Sequence, residues 1–495
     1  MNKINRRDFI KKSLLAGAAI SFWPVVGRSQ KNPAATQAGT AQLRVRGAND
    51  DIRAAVIGFN GQGRGHIRTL RNLKGVRVVA LCDVDQDVLD RETKAIKDSG
   101  ESVESYTDIR RLLENKEIDV VTIATPHHWH ALAAIWSIQA GKDVYVEKPV
   151  SHNVWEGSQI LQAARNHNRI VQSGTQIRSN PGVREAIAWV RKGHLGKIKL
   201  ARGLCYKRRD SIGKTNGTQP VPASIDYDLW TGPAPMGPLR RAKLHYDWHW
   251  VWDTGNGDLG NQGIHQMDIA RWALGEKELP PRVFSIGGRL GYEDDGTTPN
   301  TQIVFHDYKA APLIFEVRGL PSGTGSGRMD NYRGTSIGDV IDCAHGCLVI
   351  PSYTKAIVYD NDGKEIKRFE GSASHFQNFI DAVRSRKATY LNADILEGHL
   401  SSALCHSANI SYRLGTPHSP EQLREAMKGN NAMAESFGRM QEHLAANGVE
   451  LTKTPLLLGA FLEMDPKTER FIGNPKANEL LAREYRQPFA VPDKV

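Results

Sequence analysis

Three stretches of the chain hold residues whose types and spacing can do chemistry. The first is Gly58-Phe59-Asn60-Gly61-Gln62-Gly63-Arg64-Gly65. Glycines in such a turn let backbone N–H groups approach a pyrophosphate, provided that a strand ends before it and a helix begins after it. The spacing is irregular, since Asn60 holds the middle glycine position, Gly61 follows it and Gly63 takes the third place. Asn tolerates left-handed backbone, so the turn survives the change. Asp83 lies twenty residues past Gly63 at a strand end. A carboxylate there can accept from ribose hydroxyls, which favours NAD over NADP. The second stretch is Glu147-Lys148-Pro149. Its ammonium group can donate to a substrate hydroxyl or polarise a carbonyl, and partial burial would lower its pKa. The third runs from Gly255 to Asp268 and contains Asp258, Asn261 and His265. Asn261 and His265 are four apart and share a face if both are helical. An imidazole at His265 can take the proton of a hydroxyl whose carbon loses hydride.

Other stretches are candidates for binding. Asp247-Trp248-His249-Trp250-Val251-Trp252-Asp253 mixes rings and polar groups. It suits stacking on a sugar, with Trp250 as the contact, or an ordinary aromatic cluster. Tyr206-Lys207-Arg208-Arg209 reaches the same site or ends a solvated strand. His127, His128 and His130 lack a carboxylate at ligand spacing, so no metal is expected. The five cysteines form no CxxC pair and read as buried free thiols.

These residues need elements to position them. Ala54–Phe59 is a short apolar run, read as a buried parallel strand, and a helix follows the glycine turn through about Leu73. Val76–Cys82, Ile118–Thr125 and Lys142–Glu147 read as further strands. Asp108 reads as the cap of a helix through Leu113, and Trp129–Gln139 as a helix closed by Gly141. Alternation at this spacing predicts a doubly wound parallel α/β sheet. Beyond about residue 195 the pattern turns to extended stretches near 198–206, 282–290, 300–307, 312–318, 346–350 and 356–360. They predict a second, α+β domain on an open, mainly antiparallel sheet, with a helix over His375–Arg386 packing back on the body. The expected boundaries are 52–175 for the Rossmann domain, 176–415 for the substrate and oligomerisation domain, and 416–495 for a helical and irregular C-terminal extension.

The formal net charge of +11 does not signal nucleic acid. Residues 1–30 hold six basic residues against Asp8, and no long Lys/Arg block follows. Asn5-Arg6-Arg7-Asp8-Phe9-Ile10-Lys11-Lys12 precedes a short, weakly apolar stretch, which looks like a twin-arginine export signal over 1–30. Residues 31–51 read as a linker or arm. The expected location is the periplasm, and the expected partners include the twin-arginine machinery.

Taken together, the glycine turn, the Glu-Lys-Pro motif and the DxxxH-like stretch in a second α+β domain resemble one family. It is the glucose-fructose oxidoreductase / inositol dehydrogenase / rhizopine-catabolism (Gfo/Idh/MocA) family, and the resemblance covers roughly residues 52–415. It implies hydride exchange between bound NAD(P) and a sugar or polyol carbon, and an open sheet that often mediates homo-oligomers. It makes Lys148 and His265 the catalytic pair. It also places Thr125, His130 and Glu147 beside the cofactor. The usual aspartate four residues before the histidine is Asn261 here, which cannot accept a proton. Asp258 or Asp268 is the candidate for the missing carboxylate, with Asp268 on the helical face of His265. The reading is a periplasmic sugar, glycoside or polyol oxidoreductase with tightly bound NAD(H). Two alternatives stand beside it: an NAD-dependent glycosidase working by transient ring oxidation and elimination, and a non-catalytic cofactor- and sugar-binding protein.

Overall fold

The computed structural model describes residues 51–495, so the expected export signal and nearly all of the linker lie outside the described residues. The first domain alternates β1 (Ile52–Ile57), α1 (Gln62–Arg71), β2 (Val76–Cys82), α2 (Gln86–Asp98), β3 (Glu104–Tyr106), α3 (Ile109–Glu114), β4 (Val120–Ile123), α4 (His127–Gln139), β5 (Asp143–Val146), α5 (Val154–Asn166) and β6 (Val171–Ser173). The six strands form one parallel sheet in the order β3-β2-β1-β4-β5-β6. β4 and β5 are buried at every position, as expected of strands covered on both faces. Asp108 caps α3 by accepting from Arg110 N at 2.8 Å.

The second domain follows with α6 (Pro181–Arg191), β7 (Ile198–Tyr206), α7 (Tyr227–Thr231), α8 (Ile264–Leu274), β8 (Arg282–Gly288), β9 (Thr301–His306), β10 (Leu313–Arg318), β11 (Ile337–Cys343), β12 (Gly346–Ser352), β13 (Lys355–Tyr359), β14 (Glu365–Glu370), α9 (His375–Ser385) and α10 (Ile395–Arg413). The chain ends with β15 (Thr416–His418), α11 (Pro420–Ala426), α12 (Asn431–Ala446), β16 (Leu456–Leu458), β17 (Leu462–Asp465), β18 (Arg470–Ile472) and α13 (Pro475–Glu479). The large sheet runs β14-β13-β12-β11-β7-β10-β9-β8-β16-β15, with β17 also pairing β8 and β18 pairing β17, and only β7 and β10 pair in parallel.

Alternation along β7 separates the two faces of this sheet. Ala201 and Cys205 point to the core shared with α6 and α8, while Leu200, Leu204 and Tyr206 point outward. The outer face is not left open. Met433, Phe437, Met440 and Leu444 of α12 pack on Phe284, Ile303, Phe305 and Ile314, all buried. Burying each such side chain contributes about 1.5–3 kcal/mol. The C-terminal extension is therefore part of the sheet layer rather than an irregular appendage. Its last residues return to the first domain, where Phe489 packs edge-on against Trp129 at 5.6 Å between ring centres. α9 also packs back, through Phe379 and Ile380 against the β1–β2 core.

Candidate active site

The cleft of about 540 Å³ lies beyond the carboxyl ends of the parallel strands, where open α/β sheets bind ligands. Its first half is built from backbone. Gly58 has φ +75°, and a Cβ there would stand 2.8 Å from Thr125 N. Gly63 packs under the turn, where a Cβ would stand 2.0 Å from Gly58 O. At Gly61, by contrast, a Cβ would meet nothing within 4 Å, and no side chain caps α1. The first N–H groups of α1 thus face an open cradle, a ready anion site. Asp83 accepts from Phe59 N at 2.9 Å and Asp85 N at 3.1 Å. Burial raises its pKa, with those two N–H groups opposing the rise. Asn60 lines the same cradle. The buried Thr125 Oγ1 has no hydrogen-bond partner. The open glycine, the uncapped helix and the orphaned hydroxyl fit a bound dinucleotide.

The second half is built from side chains. Glu147 accepts from buried His66 Nε2 at 3.0 Å. Burial pushes the Glu147 carboxyl up, but the His66 hydrogen bond and the charges of His66 and Lys148 outweigh it, leaving a pKa of about 2. Lys148 Nζ donates to the carbonyl of Asn261 at 2.8 Å, and burial lowers its pKa. That carbonyl is presented by a π turn over Leu259–Gly263, just before α8, a distortion frequent at functional sites. His265, in the first turn of α8, is held near pKa 3 by burial and by the Lys148 charge. Its Nδ1 is buried without a partner. Burial and the Lys148 charge together favour the neutral form of His265.

Not every expected residue meets at the cleft. Gly58, Asn60, Gly61, Asp83, Thr125, His130, Glu147, Lys148, Asn261 and His265 line it. Gly63 supports it from below. His130 spends both ring nitrogens on carbonyls, Pro149 O at 2.6 Å and Thr125 O at 2.8 Å, so it braces the strand ends rather than offering a polar atom. Tyr206 is corrected: it faces the outer side of the sheet and donates to Glu316 at 2.6 Å. Trp250 is corrected too: it is buried beneath the Arg209 guanidinium, 4.9 Å from the ring centre. Asp258 is consumed by a two-pronged bond to Arg209, with Nε to Oδ2 at 2.9 Å. Asp268 does not orient His265: its oxygens take Arg178 Nε at 2.7 Å and Ser401 Oγ at 2.6 Å. Lys207 is half-buried and does not line the cleft, though its charge adds to the burial that lowers Lys148 and His265.

Sequence reasoning missed several lining residues. Tyr353, from the β12–β13 turn, has its ring centre 5.4 Å from that of His265 and accepts from Gln262 at 3.0 Å. Trp248 and His249 stack on each other at 3.5 Å, and His127 meets Trp248 edge-on at 4.8 Å. Tyr246 also lines the mouth. The 247–253 aromatic run did signal this wall, but its turn of 3-10 helix over Asp247–Trp250 brings Trp248 forward instead of Trp250. Among the described residues no cluster of three or more side chains could hold a metal ion. All five cysteines are buried and free.

Comparison with known proteins agrees with this architecture. Residues 52–175 match the oxidoreductase family, NAD-binding Rossmann fold, and residues 185–315 match the oxidoreductase family, C-terminal alpha/beta domain. A glycosyl hydrolase family 109 protein from Shewanella pealeana is 30% identical over 207 residues, 40% of this chain and 44% of the relative. The chain thus spans under half the length of such curated relatives. Levoglucosan dehydrogenase in complex with NADH and levoglucosan superimposes with a TM-score of 0.54 at 17% identity, covering 72% of this chain and 95% of that one. The WlbA dehydrogenase from Bordetella pertussis, in complex with NADH and UDP-GlcNAcA, gives 0.52 at 17% identity, covering 72% and 94%. At such identities these two likenesses concern the fold alone. With both domains matched over a little more than half of its length, the chain belongs to the Gfo/Idh/MocA family of NAD-binding oxidoreductases.

Proposed function

We propose that the protein oxidises a secondary hydroxyl of a sugar, glycoside or polyol to a ketone, and runs the step in reverse, with NAD as its resident cofactor. The observation that carries this reading is the Lys148–His265 pair beside an open dinucleotide cradle. Bound NAD supplies the hydride acceptor. His265, kept neutral by burial, takes the hydroxyl proton, and Lys148 donates a hydrogen bond to the same oxygen as it becomes a carbonyl. The His66–Glu147 bond fixes the turn that carries Lys148. Asp83 supports NAD over NADP, because a carboxylate repels a 2′-phosphate.

The twin-arginine-like residues 5–12 support export to the periplasm. A cofactor kept through the catalytic cycle suits such a location. The test is to purify the exported protein without added nucleotide, denature it and quantify the released dinucleotides. Near-stoichiometric NAD(H) is the expected result; an empty protein sinks the resident-cofactor reading. The non-catalytic alternative predicts bound cofactor and sugar with no turnover on any sugar tested. Self-association, implied by the resemblance, is proposed to use surface other than the face covered by α12, and light scattering at the monomer mass would sink it.

A second reading is favoured by the glycosyl hydrolase relatives. Here the same oxidation acidifies the neighbouring C–H, a base removes that proton, the aglycone leaves to give an unsaturated ketone, water adds across its double bond, and hydride returns to the carbonyl carbon. Neutral His127 and His249 stand in the cleft as candidate bases. Release of aglycone from an aryl glycoside with no net NADH, and with solvent deuterium entering the ring, is the expected signature.

A further inference from the structure

The segment 253–256 lies outside helix and strand, yet its carbonyls are claimed by side chains from distant parts of the chain. Asp253 O accepts from Arg483 Nη1 at 3.0 Å, Gly255 O from His152 Nε2 at 3.2 Å, and Asn256 O from Asn409 Nδ2 of α10 at 3.0 Å. Thr254 O faces His128 Nδ1 of α4 at 3.3 Å. Backbone groups that no ladder satisfies need other partners, and so many in a row fix the path of the chain.

That path sets the reactive end. The segment follows Trp248 and His249 on the cleft wall. It leads into the π turn that presents Asn261 O to Lys148, and then to His265. His152 stands four residues past Lys148, and its carbonyl accepts from Asn256 Nδ2 at 3.0 Å. The lysine turn and the histidine loop are thus joined twice, at the cleft through Lys148 and at the base through His152 and Asn256.

Arg483 closes that base, although no residue beyond Tyr353 lines the cleft. Its Nη2 donates to His152 Nδ1, which leaves the imidazole proton on Nε2, the nitrogen that reaches Gly255 O. One planar fork therefore fixes a carbonyl of the loop and the tautomer of the ring that holds a second carbonyl. The guanidinium is 12% exposed, and its Nε lies 3.9 Å from Glu156 Oε1, a carboxylate buried in α5. The segment that carries it is anchored on α5 independently. Trp155 N donates to Leu481 O at 3.0 Å, and the Tyr485 hydroxyl donates to Glu156 at 2.9 Å. Arg486 holds the other foot of the cleft wall, donating to Asp228 of α7 at 2.6 Å, next to Leu229 and Trp230 of the cleft.

We infer that residues 481–486 clasp the reactive end and that Arg483 is a positioning residue, setting the loop that carries His265 against the turn that carries Lys148. This rests on the oxidoreductase reading above, which puts those two residues at the reacting carbon.

The test compares the parent holoprotein with Arg483→Met and Arg483→Lys. Hydrogen–deuterium exchange, NAD content and the rate at which methyl β-glucoside, methyl β-galactoside or myo-inositol reduces the bound nicotinamide are followed on each. In Arg483→Met, amides of 250–263 exchange at least about tenfold faster, while the glycine turn and the NAD content are unchanged. The rate with the best of these sugars falls about ten- to hundredfold, as a displacement near an ångström would cause. Arg483→Lys, which reaches one acceptor but not both, falls between the other two. Unchanged exchange over 250–263, exchange raised equally across the molecule, or a loosened loop with nicotinamide reduced at the parent rate would each overturn the inference. If none of the three sugars reduces the nicotinamide of the parent, that counts against the redox reading, and the exchange pattern alone decides for or against the clasp.

Discussion

The two ends of the cleft are made in opposite ways. The dinucleotide end comes mainly from one contiguous stretch, residues 57–62 with Gly63 packed beneath it, joined by Asp83 and Thr125, and it works mainly through backbone. The reactive end draws His66 from α1, Lys148 from beyond β5, Trp248 and His249 from a 3-10 turn, His265 from α8 and Tyr353 from the β12–β13 turn. At the first end, glycines touch one another closely. At the second, buried polar atoms are left over, among them His127 Nδ1 and His265 Nδ1. Buried polar groups are normally paired, so orphans gathered around one cavity mark where a ligand completes the structure. The first end is fixed by steric necessity, the second by tertiary packing and charge.

The comparison breaks most visibly at Lys148. Lys148→Met removes the donor to the reacting oxygen but touches no residue of the glycine turn. The expected loss in kcat/KM is about 10³-fold, in the range of lost general acid–base and electrostatic stabilisation, with NAD content per protein unchanged. Steady-state kinetics and nucleotide release on the same preparation check both halves. Loss of the cofactor along with activity would mean that the two ends are not separable.

Gly63→Ala is the converse. The added methyl would sit 2.0 Å from Gly58 O, against backbone that cannot swing aside. NAD content is expected to fall at least about tenfold, while the second domain keeps its structure. Added sugar should then find no cofactor to reduce. Retention of full NAD content in this variant would show that the turn is more yielding than its contacts imply.

The same division decides what was legible in the sequence. The glycine turn, Asp83 and the Glu-Lys-Pro turn can be read because their partners are local or sit at a fixed spacing along alternating strands and helices. Asp258 and Asp268 have the right residue type in the right stretch, yet Arg209 and Arg178, 49 and 90 residues away in the chain, claim them. Nothing local distinguishes a carboxylate free to work from one already paired. His66 joins Glu147 across 81 residues for the same reason. Tyr206 stands at the end of β7 with a residue type suited to a site, but only the strand's orientation tells that it faces the outer side, where Glu316 takes its hydroxyl. β11 was missed because Gly338, Asp339 and Asp342 interrupt its apolar run, and β14 because, as an edge strand, it is mostly charged and exposed.

The pH profile sharpens the account of the reactive end. His265 must be neutral to take a proton, so activity is lost as pH falls through its pKa, held to about 3. Lys148 must keep its proton to donate, so activity is lost as pH rises through a pKa lowered below 10.5. The expected kcat/KM profile is therefore flat from about pH 5 through neutrality, then falls about tenfold per unit on the alkaline side of the lysine pKa. An acid limb near 6.5 would show that His265 is solvated rather than buried.

The smallest effect tests the comparison at one backbone torsion. Both ends use a residue with positive φ. At the dinucleotide end it is Gly58 with φ +75°, which pays nothing for that conformation; at the reactive end it is Tyr246 with φ +63°. With ψ −47° it is the centre of a γ-turn closed by Asp247 N donating to His245 O at 2.8 Å, a strained conformation that costs about 1–3 kcal/mol in a bulky residue and persists where function over-determines the position. Tyr246 is 54% exposed, lines the cleft mouth, sets its ring 4.7 Å from that of His249 and accepts from Arg209 at 3.1 Å. Tyr246→Gly keeps the torsion and adopts it without a Cβ penalty. Its expected consequence is a melting temperature equal to or about 1 °C above the parent, with KM for the sugar raised about three- to tenfold and kcat nearly kept. A drop in melting temperature with KM unchanged would instead make the ring a structural prop, and the strain at this end would have no functional cause.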